Sequence, residues 1–560
     1  MQDLIEKSSS HKKVVRERGY WQQAVFSFPP DWIVCSVIGC AALCFNLYRL
    51  SMPSIWFDEA LSIERARQPL GVLWKIIFTT QPNMAFYYLV LHFWLQGTQL
   101  LGLLPDEVVV RLPSTIFAVL SAIVLYLTGR RFLGRMAGVV STGLYIINAL
   151  QLTYAQETRS YSLQLLLTCL TWYALFAALS AHKRRWGWWI CYCLATALAV
   201  YTHIFSILIL SAHVITYGCL LILPNYWYKQ TRRECIIFIA SLTCIVILLI
   251  PLIIVSRQGA KTGWLPVPRL KDIESLFIAL AGNNRAFLLF LALVYACGIF
   301  VVVRACKRWV VKQGKDQSPA QTLLVPQNKS QEETLLPQIM PALIGLLCWW
   351  LVPLVASYII SQGATRLFST RYLVAIVPPL LLFAGGCVEV VPWRRIRFVL
   401  AAALLVAACF SVPYYYRSAQ VENWKEVTFW LQHHARGDDG MVCYDNAQGC
   451  QLCIEYYLRA YPDGISFPAD APGAFPWVNY DLTNQTGDTE AAVDPAALAR
   501  YGAHHTHLFF IVGRLSGNDH VARARSAQSW LDSHYAFEDQ IVTRTVTIRL
   551  YSTNHKPPQQ

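Results

Sequence analysis

The sequence predicts a polytopic α-helical membrane protein of about 11–13 spans with a small C-terminal α/β domain. Of its 560 residues, 55% are hydrophobic and only 14% are charged, whereas soluble domains carry roughly a quarter charged residues. Apolar runs of about 20 residues, the length that crosses a bilayer, recur before residue 414. From residue 414 the chain is polar and net acidic, so this part is predicted to fold outside the lipid.

Apolar segments mark the individual spans, and the polar stretches between them mark the domains. Residues 1–30 are predicted to form a cytoplasmic tail, 31–413 the membrane module and 414–560 the soluble domain. Since no small-residue cleavage site follows it, the first apolar segment is predicted to be a retained span and not a signal peptide. The predicted spans are residues 31–50, 112–128, 136–153, 160–180, 186–202, 204–223, 235–256, 286–303, 339–360, 372–391 and 396–413.

Lysines and arginines cluster in alternate loops, as in Arg130-Arg131 and Lys183-Arg184-Arg185. By the positive-inside rule these loops are cytoplasmic, which puts the N-terminus inside and residues 414–560 outside. The formal charge of +14 is therefore a signal of topology and does not indicate a nucleic-acid partner. We expect a multi-pass protein of the cell membrane, and the expected membrane is the bacterial inner membrane.

Residues 84–104 are apolar enough to cross the membrane, but crossing would invert every later loop. We therefore predict that they lie along the membrane surface within an external loop, 51–111, because the aromatic residues suit an interfacial helix. The alternative is a true span paired with another unrecognised one. The aromatic residues concerned are Phe86, Tyr87, Tyr88, Phe93 and Trp94.

Periodicity predicts the elements of the C-terminal domain. Helices are expected at 421–434 and 520–535, and strands at 441–444, 508–512 and 541–551. Residues 461–500 are predicted to be a loop, and residues 312–337 a flexible cytoplasmic linker.

Three cysteines, Cys443, Cys450 and Cys453, lie in the polar part of the chain. Because three is an odd number, we predict at most one disulfide there. The alternative is a redox or metal site at Cys450-x-x-Cys453.

Asp58 and Glu59 form an acidic pair just beyond the first span. Ionisable residues in or beside a membrane are functional candidates by default, because burying one costs about 2.5–3.5 kcal/mol on an insertion scale. We predict that Asp58 is a catalytic base, with Glu59 orienting an acceptor or serving as a second polar contact. The alternative is that Asp58 caps a helix over 59–67.

Further candidates are predicted on the same face of the membrane. Arg159, in Gln156-Glu157-Thr158-Arg159, has the planar fork that grips phosphate; the alternative is a Glu157–Arg159 pair that anchors helix ends. His203, Arg366, Arg371 and Tyr372 are further candidates for substrate binding. The alternative for His203 is an ordinary histidine at the membrane interface. The alternative for Arg366 and Arg371 is that they only extend their charged ends to the membrane surface. Weaker cationic candidates are Lys261, Arg269, Lys271 and Arg285.

Metal binding has little sequence support. The His504-His505-x-His507 run has no thiol or carboxylate close in sequence to complete a ligand set. No resident cofactor is predicted. The alternative is a divalent cation bound by the carboxylates of Asp58 and Glu59.

In their order along the chain, the motifs resemble the membrane-embedded GT-C glycosyltransferases. The most similar type is glycosyltransferase family 39, which includes protein O-mannosyltransferases and lipid A aminoarabinose transferases. The motifs are Trp56-Phe57-Asp58-Glu59-Ala60, Gln81-Pro82 before Tyr87-Tyr88-Leu89, Arg111-Leu112-Pro113-Ser114, Gly129-Arg130-Arg131-Phe132, Gln156-Glu157-Thr158-Arg159-Ser160-Tyr161, and Arg371-Tyr372 with Pro378-Pro379.

This resemblance implies a polyprenyl-phosphate sugar donor, a catalytic aspartate in the first external loop and an inverting single displacement. It maps Asp58 to the catalytic aspartate, Glu59 to its partner and Arg159 to a donor-phosphate contact. Bacterial relatives often carry His-Pro-Pro where this chain has Gln81-Pro82-Asn83. The role of that histidine is therefore unfilled here, and Gln81 is the candidate substrate contact in its place.

Three functions compete. The first is a glycosyltransferase acting outside the cytoplasm on a lipid, glycan or protein acceptor. The second is a transporter or flippase of lipid-linked sugar, but transporters place ionisable groups at the bilayer midplane, and the polar groups here gather at one surface. The third is a sensor or assembly protein, a function in which Asp58 and Glu59 would have no role.

Overall fold

The computed structural model describes most of the chain. The described residues are 29–79, 82–180, 185–223, 232–256, 262, 265–316, 331–436, 439–444, 449–461, 495–515 and 518–554.

Helices dominate the first 418 residues. They are α1 (Asp31–Leu47), α2 (Phe57–Arg67), α3 (Leu70–Thr79), α4 (Ala85–Leu100), α5 (Glu107–Phe132), α6 (Arg135–Ile146), α7 (Ala149–Ala155), α8 (Tyr161–Ser180), α9 (Arg185–Thr202), α10 (Ser206–Ile222), α11 (Arg232–Ser256), α12 (Leu270–Leu280), α13 (Arg285–Asp316), α14 (Gln331–Ile360), a 3₁₀ turn (Leu373–Ile376), α15 (Val377–Glu389), α16 (Arg394–Cys409) and α17 (Ser411–Ser418). Each predicted span coincides with one of these helices or with two consecutive ones.

Six of the described helical segments are long and apolar enough to cross a membrane, with α16 and α17 counted as one. The number is seven if α6 and α7, which meet at 64°, form one broken span. The apolar helices α1, α3 and α10 and the segment 373–389 are shorter. The predicted fold class, a polytopic helical membrane protein with a C-terminal sheet domain, is confirmed, and the predicted number of about 11–13 spans stays a prediction.

Helix α4 occupies the segment that was predicted to lie along the membrane. Its 16 residues span about 24 Å, less than the roughly 30 Å of a hydrocarbon core, and its placement along the membrane surface stays a prediction. The interfacial placement of Tyr87 and Tyr88 is wrong, because both side chains are fully buried in the protein. Tyr88 is held by a hydrogen bond from Arg65 of α2 (3.0 Å).

The C-terminal domain contains α18 (Trp424–His434), β1 (Gly440–Tyr444), α19 (Gly449–Ala460), α20 (Pro495–Gly502), β2 (His507–Val512), α21 (Asn518–His534), β3 (Ala536–Val542) and β4 (Thr547–Ser552). Its four strands are ordered β1-β2-β4-β3, with β1 parallel to β2 and the other pairs antiparallel. The single strand predicted at 541–551 is wrong: the chain turns between Thr543 and Val546, which are hydrogen-bonded to each other (2.9 Å). The turn contains no glycine or proline to mark it in the sequence.

The predicted linker is wrong at both of its ends, since 312–316 and 331–337 belong to α13 and α14. These stretches are rich in Lys, Gln, Glu and Leu, all of which favour helix. The middle of the linker, most of the predicted loop 461–500 and most of the N-terminal tail lie outside the described residues.

One disulfide, Cys443–Cys450, forms among the described residues, which confirms the prediction of at most one. Since Cys450 is taken by this bond, the Cys450-x-x-Cys453 pairing is not formed, and Cys453 is buried in the core.

A hydrophobic core joins the C-terminal domain to the segment 51–111. It combines Ile55, Ile63 and Tyr87 with Trp424 and Tyr457. The segment that carries the acidic pair is therefore packed between the membrane helices and the C-terminal domain.

Candidate active site

The acidic pair lies in the first turn of α2. The helix begins at Phe57 after an extended Trp56, and Asp58 and Glu59 follow at its positively polarised end. The alternative that Asp58 caps the helix is wrong, because Asp58 is inside it and Trp56 occupies the cap position without a side-chain hydrogen bond.

Asp58 contacts two arginines from distant parts of the chain. Its Oδ2 lies 3.1 Å from Nη1 of Arg371 and 3.5 Å from Nη2 of Arg159. Arg159 also donates to the backbone carbonyl of Asp58 and to Oγ of Ser62, both at 3.0 Å. The Asp58 side chain is 20% exposed, so this cluster borders open space.

Arg159 retains donor capacity beyond these bonds. Its Nε is buried and has no acceptor among the described residues. Burial lowers the pKa of its guanidinium, but Asp58, Tyr161 and Tyr88 together outweigh this effect and raise the pKa. The alternative Glu157–Arg159 ion pair does not form among the described contacts, because the guanidinium turns to α2.

Glu59, next to Asp58, has a different environment. It is fully buried and forms a two-pronged ion pair with Arg111, through Nε (2.9 Å) and Nη2 (2.8 Å). The backbone N–H of Thr158 donates to the same carboxylate (2.7 Å). Arg111 in turn donates to the carbonyls of Leu50, Pro53 and Ser54, so the pair holds together the chain before α2, the start of α5 and the segment before α8.

Glu157 is half-buried close to Glu59 and Asp58. Burial, together with the Glu59 carboxylate, raises the pKa of Glu157 to about 8. At neutral pH its carboxyl group is therefore mostly protonated and is able to donate a hydrogen bond.

His203 and Tyr372 form an aromatic wall beside the arginines. Their ring centroids lie 5.2 Å apart, and the Tyr161 ring lies 5.7 Å from that of His203. Nδ1 of His203 accepts the N–H of Phe205 (3.3 Å). Burial, with Arg159 and Arg371 nearby, lowers the pKa of His203 to about 3, so this ring is neutral at physiological pH.

The structure thus gathers Asp58, Glu157, Arg159, His203, Arg371 and Tyr372 into one site. It places other predicted residues elsewhere. Arg366 donates to the carbonyl of Ser361, and Arg285 pairs with Glu274 at the surface. Gln81 and Lys261 lie outside the described residues.

Two residues that the site depends on were not singled out from the sequence. Arg111 appeared only as part of a family motif, although a cation at the start of an apolar span signals a buried carboxylate partner. Ser62, one helical turn after Asp58, gave no signal.

Among the described residues, no group of three His, Cys, Asp or Glu side chains is arranged to hold a metal ion. Arg159 and Arg371 bind the carboxylate of Asp58, and Arg111 binds that of Glu59. A divalent cation at the pair would have to compete with these guanidinium groups.

A series of three spaces that share lining residues leads from the surface between α1 and α17 towards Glu59. Its outer part, of about 520 Å³, lies between α1 and α17 and is lined by Phe45, Val412 and Tyr416, with Arg49 and Arg417 at the same opening. A space of about 70 Å³ that shares Arg49, Tyr416 and Arg417 continues it.

The innermost space has a volume of about 20 Å³ and is lined by Trp56, Glu59 and Glu157. It shares Pro53, Gln156 and Ala419 with the middle space. This volume holds about one water molecule. The innermost space reaches Glu59 and Glu157, whereas Asp58, Arg159 and Arg371 line none of the three spaces.

The crystal structure of ArnT from Cupriavidus metallidurans in the apo state matches with a TM-score of 0.55 at 13% identity, covering 94% of this chain and 99% of that one. The fold is that of the GT-C glycosyltransferases. The same ArnT bound to undecaprenyl phosphate matches with a TM-score of 0.48, 13% identity and coverages of 94% and 99%.

An oligosaccharyltransferase from Archaeoglobus fulgidus, in complex with Zn and sulfate, matches with a TM-score of 0.47 at 11% identity, covering 94% of this chain and 73% of that one. A family model described as dolichyl-phosphate-mannose-protein mannosyltransferase matches residues 81–254. No curated protein matches the chain. The resemblance to GT-C glycosyltransferases of the protein mannosyltransferase type, predicted from the motifs, is confirmed.

The 81–254 match includes Glu157, Arg159 and His203 but begins after the acidic pair and ends before Arg371. The catalytic and binding roles predicted for these residues stay predictions. In the structure, Arg159 from the matched segment and Arg371 from outside it both contact Asp58.

Proposed function

We propose that this protein is an integral-membrane glycosyltransferase that moves a sugar from a polyprenyl-phosphate donor to an acceptor hydroxyl. The observation that carries the proposal is the contact of Asp58 with Arg159 and Arg371 at the end of the membrane helices. A carboxylate beside two guanidinium forks supplies the two groups that the reaction needs, a base for the acceptor and cations for the leaving phosphate.

In the proposed reaction, Arg159 and Arg371 bind the donor phosphate. The Nε of Arg159, which has no acceptor among the described residues, provides a donor beyond those that Asp58 uses, and the guanidinium of Arg371 is partly exposed. The acceptor oxygen attacks the anomeric carbon, Asp58 takes its proton, and the sugar–phosphate bond breaks with the electron pair leaving on the polyprenyl phosphate. A single displacement of this kind inverts the anomeric configuration.

Glu59 is assigned a positioning role, since its carboxylate is wholly engaged by Arg111 and Thr158. His203 and Tyr372 are assigned to the wall that faces the sugar or its phosphate. A neutral histidine and a tyrosine suit hydrogen bonding to sugar hydroxyls without competing for the phosphate charge.

We further propose that the site faces the extracytoplasmic side. The alternating loop charges support this orientation, and so does the Cys443–Cys450 disulfide of the adjoining domain, because disulfides persist in oxidising compartments. Protease added to sealed right-side-out vesicles is expected to cleave the C-terminal domain; protection of that domain contradicts the orientation.

The activity test uses the full-length protein reconstituted in vesicles with a panel of polyprenyl-phosphate sugars. A donor substrate is expected to lose its sugar and yield polyprenyl phosphate when acceptor extracts are supplied, and Asp58→Asn is expected to stop this release. If a lipid-linked sugar instead crosses the bilayer unchanged, the protein is a flippase and the proposal fails.

A further inference from the structure

The C-terminal domain contacts the first turn of the helix that carries Asp58. Glu422, in the segment just before α18, is 4% exposed. Its Oε2 accepts the backbone N–H of Phe57 (3.2 Å) and the indole N–H of Trp424 (2.7 Å). Phe57 is the first residue of α2, and Asp58 is the second.

This contact supplies what the helix itself lacks. The first N–H groups of a helix have no partner within it, and a side chain at the cap position usually provides one. Trp56, at that position, makes no side-chain cap bond. A carboxylate from another part of the chain takes over that function, and its negative charge also suits the helix N-terminus.

The residues before the helix are held by the same domain. Tyr457 of α19 is fully buried, and its hydroxyl accepts the N–H of Ile55 (2.7 Å) and bonds Oγ of Ser54 (3.1 Å). The N–H of Lys425 donates to Oγ of Ser54 (3.0 Å). The side chain of Ser54 and the backbone N–H groups of Ile55 and Phe57 are thus held from the domain side.

The segment that contains Glu422 is itself anchored to the sheet. Asn423 exchanges hydrogen bonds with Thr545, in the turn between β3 and β4 (2.9 and 3.1 Å). The Lys425 ammonium pairs with the fully buried Glu107 at the start of α5 (2.8 Å). A continuous set of bonds therefore runs from the sheet through Glu422 to the helix of Asp58.

We propose that Glu422 and Tyr457 are positioning residues for Asp58, which makes the C-terminal domain a part of the active site. The inference rests on the proposed function insofar as Asp58 is the base. The backbone contacts themselves do not depend on it.

The experiment compares Glu422→Ala and Glu422→Gln in the full-length protein. Glutamine keeps an oxygen that accepts the Phe57 N–H, whereas alanine removes it. We expect Glu422→Ala to lower kcat between about 10- and 100-fold, the scale for a misplaced catalytic group, with donor Kd within about twofold of wild type. Glu422→Gln is expected to restore kcat to within about threefold.

Hydrogen–deuterium exchange provides the readout that is independent of turnover. Glu422→Ala is expected to speed exchange over residues 54–60 while the strands of the sheet keep their protection. The matched control is Arg459→Gln, which removes a contact from the same domain to Glu64, near the other end of α2. It is expected to leave exchange at 54–60 and kcat unchanged.

Two outcomes overturn the inference. One is wild-type kcat in Glu422→Ala with faster exchange at 54–60, because Asp58 then works without a fixed first turn. The other is an equal loss in the alanine and glutamine variants with faster exchange across the whole domain, which marks a merely structural residue.

If Glu422→Ala does not fold, Tyr457→Phe, which removes only the hydroxyl, is expected to lower kcat with faster exchange at 54–60; wild-type values for both overturn the inference. Turnover in Asp58→Asn would show that Asp58 is not the base, but it would not change the hydrogen–deuterium exchange results. A failure of the proposed function is therefore distinguishable from a failure of this inference.

Discussion

Asp58 and Glu59 are adjacent carboxylates in one helical turn, yet they lie in opposite kinds of environment. Asp58 is partly exposed and contacts two arginines, of which Arg159 keeps an Nε without an acceptor among the described residues. Glu59 is fully buried and bonded to Arg111 and Thr158. Consecutive side chains of a helix project roughly 100° apart, so neighbours in sequence face different surroundings. The comparison teaches that an acidic pair is not necessarily a catalytic pair.

The largest effect is expected at Asp58. Asp58→Asn removes the proposed base while keeping the shape of the side chain, and we expect turnover to fall by at least about 100-fold. Sugar release from the donor measures it, with donor binding as the control for folding. Near-normal turnover would show that Asp58 is not the base. The proposed difference in function between Asp58 and Glu59 would then be wrong.

Glu59→Gln is expected to act on stability first. It leaves Arg111 as a buried charge without its counter-charge, and breaking such a pair costs about 3–5 kcal/mol. Thermal unfolding in detergent measures the loss, and Asp58→Asn serves as the matched variant with a much smaller shift. A Glu59→Gln protein that is as stable as wild type but inactive would make Glu59 a catalytic residue after all.

Arg159→Ala is expected to weaken donor binding between about 10- and 100-fold, since a hydrogen bond to a charged group contributes roughly 1.5–3 kcal/mol. Titration with a polyprenyl-phosphate sugar measures the Kd. Arg285→Ala, which removes an exposed arginine paired only at the surface, is the control. Equal affinity in both variants assigns Arg159 to the positioning of α2 alone.

The smallest effect is expected at Glu157 and depends on pH. Its pKa rises from an ordinary 4.5 to about 8 in the folded protein, so the folded state binds more protons than the unfolded state between these values. Its contribution to stability therefore falls as pH rises through this window.

Glu157→Gln imitates the protonated form, and its Tm advantage over wild type is expected to grow from pH 5 to pH 8. Thermal unfolding across this range measures the difference. A constant Tm difference would show that Glu157 is ionised throughout, like a solvent-exposed glutamate.

Sequence patterns gave correct answers where local composition decides the structure. Apolar length placed a helix at each predicted span, and short apolar runs identified the buried strands β1 and β2. The patterns were wrong where contacts decide: Tyr87 and Tyr88 look interfacial but are buried under α2, and the β3–β4 turn carries no glycine or proline. Boundaries in Lys- and Glu-rich stretches also failed, because those residues are strong helix formers.

The chain by itself determined that this is a membrane protein and that Asp58, Arg159 and Arg371 belong to one end of its helices, because apolar length and loop charge are properties of short segments. Only the tertiary structure decided which carboxylate faces the arginines, which one is neutralised by Arg111, and that Glu422 caps the helix from some 360 residues away. Those outcomes depend on partners that no local pattern specifies, since each is chosen by the packing of distant segments.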